Sequence, residues 1–67
     1  MTKTEQIKRL HEEARRLGWT VLFDSEQTTI YRSPVNILDQ IVIPKREDMD
    51  GIEVCLEAAA RKLDNFF

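Results

Sequence analysis

The sequence predicts an α+β domain in which two helices cover one face of a three-stranded antiparallel sheet, in the order α-β-β-β-α. Three observations predict this two-layer fold: a helix-period apolar stripe near each end, β-branched and aromatic segments between the stripes, and short connections between those segments. Short connections favour a meander, and both helices can then pack on the same side of it. At 67 residues, the chain is expected to form a single domain over 1–67.

The first helix is predicted at about 3–17. Thr2 and Glu5 have the spacing of a capping box, and Gly18 stands just past the helix end, where a positive φ is favoured. The helix-period stripe consists of Ile7, Leu10, Ala14 and Leu17.

Three strands are predicted next, at about 19–24, 28–33 and 37–43. In the first, Trp19, Val21 and Phe23 alternate with the residues at 20, 22 and 24. The second is rich in β-branched and aromatic residues, and the third stops at Pro44.

The second helix is predicted at about 51–66. Asp50 is expected to be its N-cap, with Glu53 three residues later completing a capping box. Its apolar face is predicted to contain Ile52, Cys55, Leu56, Ala59, Leu63 and Phe66.

Apolar residues occur at both odd and even positions of the predicted strands, so both faces of the sheet carry them. A sheet with one fully solvated face needs fewer apolar residues. We therefore expect the outer face to be partly occupied by a protein partner or by self-association, for example in a homodimer. The sequence favours a small non-enzymatic interaction or regulatory module that acts through protein–protein contact. The interface is predicted to use Leu22, Tyr31, Val42, Phe66 and Phe67.

Composition excludes several classes of protein. The hydrophobic fraction of 42% and charged fraction of 33% are typical of a globular domain, and no apolar run approaches the ~18 residues of a membrane span. One cysteine excludes an internal disulfide framework, and the first residues lack the apolar core of a secretory signal. A cytoplasmic protein is therefore expected, without membrane, cofactor or evident small-molecule substrate.

The segments "RRLGWTVL" and "IVIP" resemble HicA-type mRNA-interferase toxins, and the element order is shared with double-stranded RNA-binding domains. The resemblance is mainly topological. It implies a compact version of the same fold and a link to RNA, toxin–antitoxin systems or phages. HicA-type toxins carry a catalytic histidine on the second strand after a glycine-containing turn, whereas "DSEQTTIYRS" has neither residue. The resemblance therefore does not imply catalysis.

Nucleic-acid binding is the alternative function. Double-stranded RNA-binding domains place lysines at the start of the last helix, but "REDMDGIE" is mostly acidic here, and the net charge is −2. A basic surface on the first helix and nearby segments would use Lys8, Arg9, Arg15, Arg16, Arg32, Lys45 and Arg46.

No reactive cluster is predicted, so the catalytic, cofactor and metal sites are expected to be absent. His11 is interpreted as a half-buried structural histidine, and Cys55 as a small buried residue of the core face. The acidic residues Asp39, Glu47, Asp48, Asp50 and Glu53 do not have the spacing of an EF-hand loop and are interpreted as solvated. A relocated catalytic role for His11 would need a second group that the sequence does not place beside it.

Overall fold

A computed structural model of the chain describes residues 2–65, so Met1, Phe66 and Phe67 lie outside it. The predicted α+β class and element order are confirmed. The elements are α1 (Lys3–Arg16), β1 (Thr20–Asp24), β2 (Thr28–Arg32), β3 (Gln40–Pro44) and α2 (Ile52–Asp64).

Both ends of α1 are set by local hydrogen bonds. The Thr2 side chain accepts a hydrogen bond from the Glu5 backbone N–H at 3.2 Å, as the capping box predicts. At the other end Gly18 has a φ of 93°, and the Trp19 N–H donates to the Ala14 carbonyl at 3.0 Å. The chain therefore reverses direction at once, and the Trp19 side chain is buried.

The predicted cap of α2 is wrong. The N-cap is Gly51, which has a φ of 73°, and no side chain forms a capping hydrogen bond there. The left-handed turn at Gly51 moves the helix start to Ile52, so Asp50 lies one residue too early to cap it.

The three strands form an antiparallel sheet in the order β1-β2-β3. The prediction that β3 begins at 37 is wrong, because β3 begins at Gln40 and Leu38 lies in a turn. The Asn36 side chain accepts from the Leu38 N–H at 3.0 Å, and the Ser33 hydroxyl accepts from the Asn36 N–H at 3.2 Å. These local bonds replace the strand hydrogen bonds that residues 37–39 would otherwise form.

A bulge in β1 changes which side chains share a face. Val21 pairs with Tyr31 and Phe23 pairs with Ile30, so Leu22 has no partner on β2. The prediction that Val21 and Phe23 share a face is therefore wrong, because one extra residue moves Phe23 to the opposite side of the sheet.

One core joins both helices to a single face of β2 and β3. Ile41 and Ile43 are buried, whereas Val42 between them is exposed, so the buried face alternates with an outer one. The helices pack mainly on β3, and all five residues of β1 are exposed. The core consists of Ile7, Leu10, Ala14, Trp19, Tyr31, Ile41, Ile43, Ile52, Leu56, Ala59 and Leu63.

Gly18→Ala is expected to lower the free energy of unfolding by about 1–2 kcal/mol, because a side chain is strained at this positive φ. A Cβ there would meet Pro34 only at 3.7 Å, so the loss reports backbone strain rather than a clash. Urea unfolding would measure it, with Gly18→Asn as the matched control that tolerates positive φ better. Equal stability of the alanine variant and the wild type would contradict this account of the helix end.

Candidate functional site

A cleft lies between α1 and β1 because the helices leave β1 uncovered. Its volume is about 250 Å³. The side chains that line it come from both layers, and several are ionisable. They are Ile7, His11, Arg15, Val21, Asp24, Thr29, Tyr31 and Lys45.

His11 connects three elements at the base of this cleft. Its Nδ1 lies 2.8 Å from the Tyr31 hydroxyl on β2, and its Nε2 lies 3.2 Å from the Pro44 carbonyl on β3. A carbonyl only accepts, so Nε2 carries the proton and donates to Pro44. Nδ1 of the neutral ring is then the acceptor, and the Tyr31 hydroxyl donates to it.

The surroundings favour this neutral ring. Burial lowers the pKa of His11 below 6.5, and the nearby Arg15 and Lys45 cations also lower it. The hydrogen bond to Pro44 and the Asp24 carboxylate raise the pKa of His11, but the lowering causes outweigh them. His11 is therefore half-buried, as predicted, and both of its ring nitrogens bond to groups of the protein itself.

The β1 bulge places Asp24 beside the same cleft. Asp24 pairs with Thr29 in the sheet register, forms an ion pair with Lys45 and accepts a hydrogen bond from the Thr29 hydroxyl at 3.0 Å. The hydrogen bond from Lys45, followed by that from Thr29, lowers the pKa of Asp24. Asp24 is therefore a carboxylate held ionised by its partners.

The expectation that no reactive groups gather in one place is wrong, since a histidine and a carboxylate line one cleft. Sequence reasoning missed Asp24 because its direction depends on the bulge at Leu22. Both nitrogens of His11 are nevertheless engaged, and within residues 2–65 no hydrogen bond joins His11 to Asp24. The Nδ1 lone pair of His11 is directed at the hydroxyl of Tyr31, a side chain that is itself 0% exposed.

The outer face of the sheet carries a second candidate site. Phe23, Ile30 and Val42 are cross-strand neighbours there, and we call these three residues the outer row. Phe23 is 56% exposed, Val42 is also exposed, and Ile30 is half-buried. Leu22 is exposed at the bulge beside this row.

Only some of the residues predicted to form the interface are exposed. Leu22 and Val42 are exposed, but Tyr31 is 0% exposed and belongs to the core. Its ring faces the helices because it shares the buried parity of β2 with Thr29, and its hydroxyl binds His11. Phe66 and Phe67 lie outside the described residues.

Sequence reasoning missed Phe23 and Ile30 as outer-face residues. The bulge moves Phe23 to the other face of the sheet, and nothing in "WTVLFD" indicates where the bulge lies. Ile30 follows from Tyr31, because neighbouring residues of a strand point to opposite faces. Because Tyr31 was wrongly assigned to the outer face, its neighbour Ile30 was not recognised as an outer-face residue.

The predicted basic residues do not form one continuous surface. Lys45 pairs with Asp24, Arg46 with Asp48 at 2.9 Å, and Arg16 lies 3.9 Å from Glu13. Among residues 2–65, no ion pair involves the four other candidates, which are Lys8, Arg9, Arg15 and Arg32. Arg9 and Arg16 line a groove that also contains Glu12 and Glu13, away from the cleft that contains Arg15.

Three of the predicted acidic residues contact residues that are far away in the sequence. Glu47 accepts a hydrogen bond from Thr4, Glu53 pairs with Lys3, and Asp39 pairs with Lys62. Within the described part of the chain, no group of three histidine, cysteine or acidic side chains is placed to hold a metal ion. Cys55 is half-buried rather than buried, and it lines a groove between α2 and β3.

No match to this chain was found among family models, curated proteins or solved structures. The resemblance to HicA-type toxins and double-stranded RNA-binding domains therefore stays a prediction. Over residues 2–65, none of the helices has the length and apolar character to cross a membrane.

Tyr31→Phe is expected to lower the free energy of unfolding by about 1 kcal/mol, because it leaves Nδ1 of the half-buried His11 without its donor. Chemical denaturation at neutral pH would measure the loss. The double variant with His11→Phe is the control, because removal of both partners also removes the unsatisfied atom. If Tyr31→Phe had no effect in either background, the hydrogen bond would not contribute to stability.

Stability is expected to decrease as the pH falls from about 7 through 6.5 towards the lower pKa of folded His11. In that window the unfolded chain binds more protons than the folded one, which favours unfolding. Denaturant titrations of the wild type and His11→Gln across this range would measure the difference, since glutamine offers an acceptor and a donor but does not titrate. The stability advantage of the wild type over His11→Gln should shrink as the pH falls, and a constant difference would contradict the lowered pKa of His11.

Proposed function

We propose that this protein is a non-enzymatic interaction module that binds a partner protein through the outer face of its sheet. The observation that carries the proposal is the exposed outer row of Phe23, Ile30 and Val42, with Leu22 beside it. The helices cover the opposite face, so nothing within residues 2–65 shields Phe23. An exposed cluster of this kind marks an interaction surface more often than single scattered apolar residues do.

Charge on the same face supports a particular class of partner. Arg32 shares the parity of Ile30, pairs with Gln40 in the register and is exposed. The strand residues on this face include no aspartate or glutamate, so a second copy would bring another Arg32 and no carboxylate to meet it. A partner segment with apolar side chains and an adjacent carboxylate would complement the surface better.

The composition of the patch fits the centre of a small interface. Exposed apolar patches on monomers commonly reach about 300–600 Å², and a standard interface uses about 800 Å² per partner. The outer row, Leu22 and the stem of Arg32 would supply the apolar centre, and polar strand residues would supply the rim. Phenylalanine and arginine are both enriched at interfaces of this kind.

The non-enzymatic part of the proposal is supported by the bonding inside the cleft. His11 uses both ring nitrogens on Tyr31 and Pro44, and Asp24 is engaged by Lys45 and Thr29. These groups stabilise the contacts among α1, β2 and β3. A cytoplasmic location belongs to the same proposal and is supported by the composition.

Nucleic-acid binding has weaker support. Three of the seven predicted phosphate contacts are in ion pairs, and Arg9 and Arg16 lie among acidic residues. Binding of phosphates would have to displace those carboxylates, which costs electrostatic energy. Lys8 and Arg15, seven residues apart on α1, share a side of the helix and are the best remaining pair.

Peptide display would test the proposed partner chemistry. We expect the wild type to enrich peptides that combine aromatic or aliphatic residues with aspartate or glutamate, and Arg32→Glu to shift the enrichment towards lysine and arginine. Phe23→Thr, which introduces a β-branched residue that suits a strand, should weaken binding of the selected peptides by at least about tenfold. Val21→Thr is the matched control, because Val21 is an exposed aliphatic residue of β1 on the opposite face of the sheet from the outer row.

Two results would contradict the proposal. One is an unchanged charge preference in Arg32→Glu, and the other is equal loss of binding in Phe23→Thr and Val21→Thr. A mobility shift of labelled RNA or DNA at low salt that is lost in Lys8→Ala/Arg15→Ala, but kept in Phe23→Thr, would instead support the nucleic-acid alternative.

A further inference from the structure

The connection between β2 and β3 presents aliphatic side chains to solvent. We call residues 33–39 the β2–β3 loop. Leu38 is 86% exposed and Ile37 is 71% exposed, which makes them more exposed than any residue of the outer row. Val35 in the same loop is also exposed. Residues of this size gain about 60–120 Å² of buried apolar area each when a partner covers them.

Local hydrogen bonds fix the shape of this loop. The Ser33 hydroxyl accepts from the N–H groups of Val35 and Asn36, each at 3.2 Å. The Ser33 N–H donates to the Asp39 carbonyl at 2.9 Å, which closes the loop at its base. The aliphatic side chains are therefore held on an ordered backbone, and binding would order little additional chain.

An aliphatic groove lies next to the loop, between α2 and the free edge of β3. We call it the α2–β3 groove. Its volume is about 310 Å³. The floor includes the buried side chains of Ile41 and Ala59, and Val54 on its wall is 72% exposed. Its lining residues are Gln40, Ile41, Val42, Val54, Cys55, Ala58, Ala59 and Lys62.

One contact joins the loop to the groove and shows that they occupy the same corner of the molecule. Lys62 Nζ lies 2.9 Å from Asp39 Oδ1 at the end of the loop and 3.0 Å from the Gln40 carbonyl. Lys62 is the one charged residue of the groove lining, and Asp39 is the one charged residue of the loop. Loop and groove thus carry opposite charges beside matching aliphatic surfaces.

Pairing of β3 edges is a poor way for two copies to associate. In the register with β2, the backbone groups of Gln40, Val42 and Pro44 point away from β2. Pro44 has no N–H and its carbonyl binds His11, while the Gln40 carbonyl binds Lys62. Only the Gln40 N–H and the two backbone groups of Val42 are left for strand addition, so contact at this edge has to rely mainly on side chains.

We infer that the α2–β3 groove accepts Ile37 and Leu38 of a second copy of this chain in a reciprocal, two-fold pair. Because the loop and the groove lie at one corner, a single two-fold axis near the Lys62–Asp39 contact can place each loop against the other copy's groove. Asp39 of each copy then lies near Lys62 of the other, so the arrangement creates no like-charge contact.

The available area indicates a weak, reversible pair. The loop side chains and Val54 together offer roughly 300 Å² of apolar surface per copy, against about 800 Å² per partner in a standard interface. Association should therefore be visible only at high protein concentration. Val42 is the one member of the outer row that also lines the groove, whereas Phe23 and Ile30 do not line it, so the inference can be tested separately from the proposed partner surface.

Cys55 provides a direct reporter of groove occupancy, because it is the chain's one cysteine, it lines the groove and it is half-buried. Sedimentation of the full chain from micromolar to millimolar concentration should show a monomer–dimer equilibrium. The rate of Cys55 modification by a maleimide should fall over the same concentrations. A constant monomer mass, or a modification rate independent of concentration, would overturn the inference.

Charged variants test the two halves of the contact separately. Leu38→Lys in the loop and Val54→Asp in the groove should each weaken dimerisation by at least about tenfold, whereas the control Phe23→Thr should leave it unchanged. Both changes are at exposed positions, and aspartate is favourable in the first turn of a helix, so the fold should be retained. Circular dichroism would check this.

A mixture of the Leu38→Lys and Val54→Asp variants gives the sharpest result. In the mixed pair, one contact joins the unchanged loop of the Val54→Asp copy to the unchanged groove of the Leu38→Lys copy. The other contact places the introduced lysine opposite the introduced aspartate, which is an attractive pair. The mixture should therefore dimerise more tightly than either variant alone. No recovery in the mixture, dimer loss in Phe23→Thr, or open-ended oligomers instead of a closed dimer would each overturn the two-fold arrangement.

Discussion

Burial of one face of β2 and β3 beneath the two helices is the contact on which the other features depend. Tyr31, Ile41 and Ile43 fill that face and join the stripes of α1 and α2 in one core. Because side chains alternate along a strand, the same contact directs Ile30 and Val42 to the outside. Because the helices lie mainly on β3, it also leaves β1 uncovered and opens the cleft that contains His11. Both candidate surfaces are thus consequences of how the helices lie on the sheet.

Polar groups within this arrangement serve mainly to join elements. His11 bonds to β2 and β3 from α1, Lys45 bonds to β1 from the end of β3, and Lys62 bonds from α2 to the start of β3. A domain of this size buries only about 60% of its unfolded surface, so its stability is marginal and such contacts matter. They also engage His11 and Asp24, the histidine and the carboxylate that line the cleft. The exposed apolar side chains lie mainly in the outer row and around the α2–β3 groove, and Val42 belongs to both.

Predictability differed between local and long-range features. The stripe and cap of α1 were readable because spacing and capping involve residues within one turn. The start of β3 was not, because apolar content in 37–39 favours a strand while Ser33 and Asn36 bind the backbone of the loop locally. Tyr31 was assigned to the wrong face because its parity could not be anchored without knowing which β2 residues meet the helices. Asp24 and Phe23 were missed for a related reason, since both depend on one inserted residue in β1.

The sequence by itself determined the α+β class, the order of the elements and most of the core face of each helix, because helical periodicity is a short-range property. Only the tertiary structure decided the location of the bulge, the outer row, the cleft and the α2–β3 groove. Each of these depends on the register between strands or on where a helix crosses the sheet. Register is set by contacts between residues far apart in the chain. Because side chains alternate between the two faces of a sheet, a shift of one residue moves a side chain to the opposite face.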